Sequence, residues 1–143
     1  MKHSDLTDRL REFANKADEM AEQYELVKQI EDGELGIEAV EPILRFFEDH
    51  EDLDMGAPGP LVHYVEKFYK AGYEERLLRS LDRKPTLKTL EMLNRLINGT
   101  DEPPLRQRYV AVCERAAHSD LATFQTKEEA FRLLARYENF RTD

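Results

Sequence analysis

Pro85-Thr86-Leu87-Lys88-Thr89-Leu90-Glu91-Met92-Leu93-Asn94-Arg95-Leu96-Ile97-Asn98-Gly99 carries its own start and stop signals. Leu87, Leu90, Leu93 and Ile97 recur every three or four residues, which places them on one face of a helix over 86–98. Pro85 precedes the first turn and Gly99 follows the last, where a fixed φ and a free φ are tolerated. The period continues in both directions. Leu105, Tyr109, Val112, Cys113 and Ala116 predict a helix over 104–117. Upstream, Leu61, Val65, Phe68 and Tyr69 predict one over 61–71, stopped at Gly72, and Leu77, Leu78 and Leu81 one over 73–81. The last helix is expected to open with the capping-box pattern Thr126-Lys127-Glu128-Glu129 and to run through Phe131, Leu134 and Tyr137. No segment sustains the two-residue alternation of a strand. The predicted fold class is all-α.

Towards the N-terminus, Ile37, Val40, Ile43, Leu44, Phe46 and Phe47 line a helix over 36–50, which Pro42 either kinks or enters in its first turn. Leu6, Leu10, Phe13, Ala17, Met20, Tyr24 and Val27 step by alternating fours and threes. That a/d pattern predicts one long helix over 5–31, with Ser4 as N-cap and Asp32-Gly33 as the stop. Its seam offers a homodimer through residues 5–31, or packs along the other helices. The weak Ala17 and Tyr24 pair favours packing. The pairs 61–81 and 86–117 are similar to HEAT-like helix–turn–helix units. The expected architecture is an irregular array of about seven helices in a single domain over 1–143.

The chain has 143 residues, 41% hydrophobic and 36% charged, with a net charge of −9. That suits one sizeable core and argues against disorder. No apolar run reaches the roughly 20 residues of a membrane helix, and Met1-Lys2-His3-Ser4-Asp5 lacks an apolar signal segment. The single Cys113 has no intrachain partner, which fits a reducing compartment. A cytoplasmic location is therefore expected. The net negative charge disfavours nucleic acid and anionic membranes as partners.

The charge is concentrated. Residues 1–56 hold 17 Asp/Glu against six Lys/Arg, and Glu48-Asp49-His50-Glu51-Asp52-Leu53-Asp54 places five carboxylates in seven positions. Such a run is either a solvated helix end or a docking surface for a basic protein. Gly56-Ala57-Pro58-Gly59-Pro60 follows, the strongest breaker in the chain. It lacks the Lys and Ser/Thr of a phosphate loop, and its prolines remove backbone donors. Asp52-x-Asp54-x-Gly56 lacks the ligand spacing and closing Glu of a calcium loop.

Catalytic and metal chemistry find little support in the sequence. His3, His50, His63 and His118 form no zinc-type spacing with Cys113 or with each other. His63 with Glu66, and Glu114 with His118, have the spacing of surface ion pairs. Cys113 falls on an apolar face, where a buried structural thiol is expected. Ser80 and Ser119 have no nucleophile-elbow context. Neither a catalytic residue nor a cofactor is expected. Asn94 and Asn98, one turn apart at the edge of an apolar face, are expected either to hydrogen-bond the backbone of the 55–60 turn or to lie partly exposed.

The stretch Asp52-x-Asp54-Met55-Gly56-Ala57-Pro58-Gly59-Pro60-Leu61-Val62-His63-Tyr64-Val65-Glu66, with Pro85-Thr86 and Met92-Leu93-Asn94-Arg95, resembles small acidic all-helical immunity proteins encoded beside bacterial polymorphic or contact-dependent inhibition toxins. The resemblance covers about residues 37–117 and leaves the first helix outside. It implies a cytosolic antidote without catalysis that covers the active site of a toxin domain. A basic toxin, such as a nuclease, would suit the acidic surface. Within that reading the partner-binding residues are Glu48, Asp49, Glu51, Asp52 and Asp54, with Tyr64 as an aromatic anchor and Tyr69 a second whose expected fate is core packing. Gly56, Pro58, Gly59, Pro60, Asn94 and Asn98 are then structural. The alternative is a helical scaffold or adaptor that binds a cellular protein or peptide.

Overall fold

Eight α-helices account for most of the chain in a computed structural model that describes residues 2–16, 20–56 and 58–137, with His3 and Lys16 described by backbone only. They are α1 (His3–Phe13), α2 (Met20–Asp32), α3 (Val40–Asp49), α4 (Pro60–Glu66), α5 (Tyr73–Arg83), α6 (Leu87–Gly99), α7 (Pro103–Ala117) and α8 (Phe124–Arg136). The described residues contain no strand, so the protein is all-α. None of these helices is long and apolar enough to cross a membrane. The chain forms two compact units, Met1–Arg76 and Leu77–Asp143, with the boundary inside α5.

In the first unit α1 packs on α2 and α3, and α4 packs on α2 and α3. The single helix expected over 5–31 is interrupted by a 3₁₀ turn at Ala14–Lys16. The burial pattern explains the break. Leu6, Leu10 and Phe13 are buried in α1, and Gln23, Leu26, Val27 and Ile30 in α2. On one continuous helix those two sets would point roughly 120° apart. The interruption lets α2 re-phase towards its own neighbours. Met20 and Tyr24, placed on the seam by the heptad reading, are exposed, and Ala17 lies outside the described residues. The first half of the dimer seam expected at 5–31 is buried within the unit, where Phe13 meets Phe46 at 5.8 Å between ring centroids. Lys2 rather than Ser4 borders α1, its backbone N–H donating to Asp5 Oδ2 at 3.0 Å. Pro42 takes the first-turn position of α3, after a 3₁₀ turn at Gly36–Ala39.

In the second unit α6, α7 and α8 pack on one another. Thr86 caps α6: its Oγ1 accepts the Thr89 N–H at 3.1 Å, while Thr89 Oγ1 accepts the Thr86 N–H at 3.1 Å. Leu87, in the first turn, is exposed although the period put it on the inner face. The cap of α8 is Thr123, one turn before the expected capping box, and its Oγ1 accepts from Thr126 N at 3.2 Å. That register turns Ala130, Leu133 and Leu134 inward and Phe131 outward. The Tyr137 hydroxyl lies between Asn94 and Asn98 and donates to Oδ1 of either, at 3.0 Å for Asn98. This corrects the expectation that Asn94 or Asn98 holds the 55–60 turn, because their bonds close the packing of α6 against the end of α8. Replacing Tyr137 by Phe removes a net bond worth about 1 kcal/mol, so a thermal melt of the 143-residue chain is predicted to fall by about 3–4 °C.

Cys113 is fully buried in α7, its Sγ donating to the Ala130 carbonyl at 3.5 Å. Burial, with the Glu129 and Glu114 carboxylates nearby, pushes its thiol from 9.0 up to about 12. The folded state therefore favours the neutral thiol. Its contribution to stability is whole below about pH 9 and is lost as pH rises towards about 12. At pH 8 iodoacetamide is predicted to leave Cys113 unmodified in the native protein and to label it within minutes in denaturant, read by intact mass.

Candidate protein-docking site

The link from α3 to α4 holds the acidic run and the Gly-Pro turn together. At the end of α3 the His50 N–H bonds the Phe46 carbonyl at 3.0 Å, and the Leu53 N–H turns back to the His50 carbonyl at 3.1 Å. Asp54 Oδ1 then accepts the Gly56 N–H at 3.1 Å, a local bond that short acidic side chains make in turns. The run is divided by this path. Glu48 is only 7% exposed on the inner side of α3, which removes it from any docking set. Glu51 is half-buried, while Asp49, Asp52 and Asp54 are exposed.

Beyond the carboxylates the chain is fixed by Gln23 of α2. This side chain is 0% exposed. Its Nε2 donates to the Met55 carbonyl at 3.0 Å, and its Oε1 accepts the Leu61 N–H at 3.1 Å. Leu61 lies in the first turn of α4, where a backbone N–H has no partner within the helix. One buried amide therefore satisfies both sides of the turn. Gly56 and Gly59 both have φ of +89°, a region that L side chains rarely adopt. A Cβ on Gly59 would lie 2.0 Å from the Met55 carbonyl oxygen, so the close approach needs glycine. Pro60 enters α4 at N1, where its missing N–H leaves nothing unpaired. Pro58 is half-buried, and Ala57 lies outside the described residues. The structural roles expected of Gly56, Gly59 and Pro60 thus have a specific geometry, with Gln23 as the side chain that holds it.

Tyr64 does not have the exposure that the expected anchor role needs. Tyr64 is 4% exposed, and its hydroxyl donates to the Gly36 carbonyl at 3.1 Å. Burial and the Glu31 carboxylate raise its phenol above the ordinary range. Tyr64 is thus an internal brace and is not available to a partner. Tyr69, expected in the core, is exposed, with the Lys70 ammonium 5.6 Å from its ring centroid. Nearer the turn stands Met20, with Tyr24 one helical turn further along α2. Tyr24 is 63% exposed. The Met20 methyl would lie 3.2 Å from a Cβ on Gly56, and Met20 Sδ accepts from Gln23 Nε2 at 3.7 Å. These residues were hidden by the heptad reading. The spacing of Gln23, Leu26, Val27 and Ile30 is the signal that reveals them, once α2 is phased separately.

On the other side of α3, Thr7, Leu10, Arg11, Pro42, Arg45 and Asp49 border a cleft of about 210 Å³ that His50 and Phe46 close, their rings 4.6 Å apart. Arg11 pairs with Asp8 at 3.4 Å and Arg45 with Glu41 at 3.7 Å. Asp49 shares this lining with the two arginines, whereas Asp52 and Asp54 lie outside it. Across the first unit 20 Asp/Glu face nine Lys/Arg, a balance of −11. His63 Nδ1 lies 3.9 Å from Glu66 on the solvent side of α4. Among the described residues no group of three or more His, Cys, Asp or Glu is arranged to hold a metal ion. No family model, curated protein or solved structure matches the chain.

The turn makes a graded prediction for denaturant unfolding. Gln23→Leu leaves the Met55 carbonyl and the Leu61 N–H buried and unbonded, and is predicted to destabilise by about 2–4 kcal/mol. Gly59→Ala is predicted to lose about as much through its forced clash. Gly36→Ala also meets a positive φ, of +60°, but in open space, and should lose only about 1 kcal/mol.

Proposed function

We propose that this protein is a non-catalytic binding module that captures a basic protein through the acidic turn of its first unit, as an antidote that covers a toxin domain. The observation that supports this reading is the pairing of the exposed Asp52 and Asp54, the latter bonded into a pinned turn, with the exposed Met20 beside that turn and the exposed Tyr24 one helical turn further along α2. Fixed carboxylates speed the encounter with a cationic surface, and an apolar and aromatic edge retains the partner once it is seated. A surplus of eleven negative charges on the unit adds long-range steering. An acidic face of this kind competes well for a protein built to hold a polyanion, which is why a nuclease domain is the favoured partner. The immunity-protein resemblance in residues 52–66 points the same way. The scaffold or adaptor reading draws on the mixed-charge cleft between α1 and α3, which suits a single peptide side chain.

The two readings separate in a pull-down from the native cell at low and high salt. The antidote reading expects one basic, salt-sensitive partner in equal amount; several substoichiometric partners would favour the adaptor. With that partner, the variant Asp49→Lys/Asp52→Lys/Asp54→Asn is predicted to associate about tenfold or more slowly in stopped flow, with a flatter salt dependence. Asn at 54 keeps an oxygen for the Gly56 N–H, so the turn survives the charge change. An unchanged association rate would exclude this face as the docking site.

A further inference from the structure

Besides Leu87 in the first turn of α6, the second unit leaves three large apolar side chains facing outward in and just before α8: Leu121 at 65% exposure, Phe124 at 74% and Phe131 at 50%. Single exposed apolar residues are ordinary, but these are patterned. Phe124 and Phe131 lie seven residues apart on α8, which puts them within roughly 20° of each other around the helix axis. Glu128 and Ala135 fall on the same strip and are exposed. Leu121 stands just ahead of the helix, and the Phe131 ring is steadied edge-on by His118 at 5.3 Å. The opposite face of α8 is already used, with Ala130, Leu133 and Leu134 buried.

The charges between the two phenylalanines select an occupant. Lys127 and Glu128 sit midway between Phe124 and Phe131, and among the described residues neither forms an ion pair. We propose that the outer face of α8 docks against α8 of a second copy of this chain, antiparallel about a two-fold axis that passes between positions 127 and 128. In that register Phe124 meets the partner's Phe131, and Lys127 meets the partner's Glu128; symmetry makes each contact twice. A parallel pairing would set Lys127 against Lys127 and Glu128 against Glu128 of the two copies, so charge complementarity chooses the antiparallel one. A helix of 13 residues is about 20 Å long, which gives a small interface and a weak, concentration-dependent dimer. The seam differs from the 5–31 helix, whose apolar residues Leu6, Leu10 and Phe13 are internal to the first unit.

Sedimentation equilibrium of the full chain from about 5 to 500 µM tests the proposal. The expected result is a monomer–dimer equilibrium. Phe124→Glu/Phe131→Glu should be monomeric throughout while keeping the helical content and a cooperative thermal melt, since neither side chain is in the buried core. Lys127→Glu and Glu128→Lys should each raise Kd about tenfold, since each opposes like charges across the axis twice. The double variant Lys127→Glu/Glu128→Lys should return Kd to within about threefold of the parent, because the swap re-creates opposite-sign pairs only in the antiparallel register. A wild-type chain that stays monomeric overturns the proposal. So does a dimer that survives Phe124→Glu/Phe131→Glu, or a double charge swap as weak as the single changes.

Discussion

One buried amide organises the first unit. Gln23 binds the Met55 carbonyl and the Leu61 N–H from opposite ends of the same side chain, and so ties α2 to both sides of the α3–α4 link. No apolar residue of similar size does this, because the turn presents one acceptor and one donor to the interior and each must be satisfied. The glycines follow from the same constraint. The turn brings Gly59 so close to Met55 that a Cβ would overlap its carbonyl oxygen, and Gly56 and Gly59 both adopt the left-handed region. Pro60 and the Asp54 side chain complete the link by removing one donor and satisfying another.

On the docking reading proposed above, that rigidity is what the acidic run requires. A run of carboxylates on a loose loop would relax away from any fixed arrangement under its own repulsion, whereas Asp54 is held by the turn it caps and Asp52 is two residues before it. The packing sorts the run further. The inner face of α3 buries Glu48, and Asp49 lines the cleft with Arg11 and Arg45, so Asp52 and Asp54 are the exposed carboxylates nearest the turn. Met20 borders the same turn from α2, so apolar and acidic surface meet where the backbone is pinned.

The helices of this protein were largely legible in its sequence, because their stop signals and their three-and-four periods coincide. The helix over 86–98 appears with Thr86 as its cap, and the helix over 104–117 begins one residue earlier than expected. Phase was harder to read than existence. A heptad drawn through 5–31 treats Met20 and Tyr24 as interior, although Ala14–Lys16 breaks the helix and shifts the burial face. The Thr126 pattern suggested a cap, but Thr123 supplies it one turn earlier, and Phe131 consequently turns outward. The site was half legible. The Gly-Pro turn and its carboxylates stand out by composition, whereas the side chain that holds the turn is 32 residues from Met55 in sequence and polar on a face read as apolar. Tyr64 and Tyr69 exchange their expected roles for a similar reason: which of the two meets a distant carbonyl depends on the 3₁₀ turn that opens at Gly36, which spacing along 61–71 does not locate.

The Leu61 amide is the most direct probe of this account. As a first-turn N–H of α4 it has no helical acceptor, so its only shield is the Gln23 oxygen. Native-state hydrogen exchange read residue by residue should find Leu61 protected as strongly as the interior amides of α2, and Gln23→Leu should strip that protection while leaving the middle of α2 slow. A Leu61 amide that exchanges in the native protein as fast as a solvent-exposed one would contradict the pinned turn, and with it the fixed acidic surface built on it.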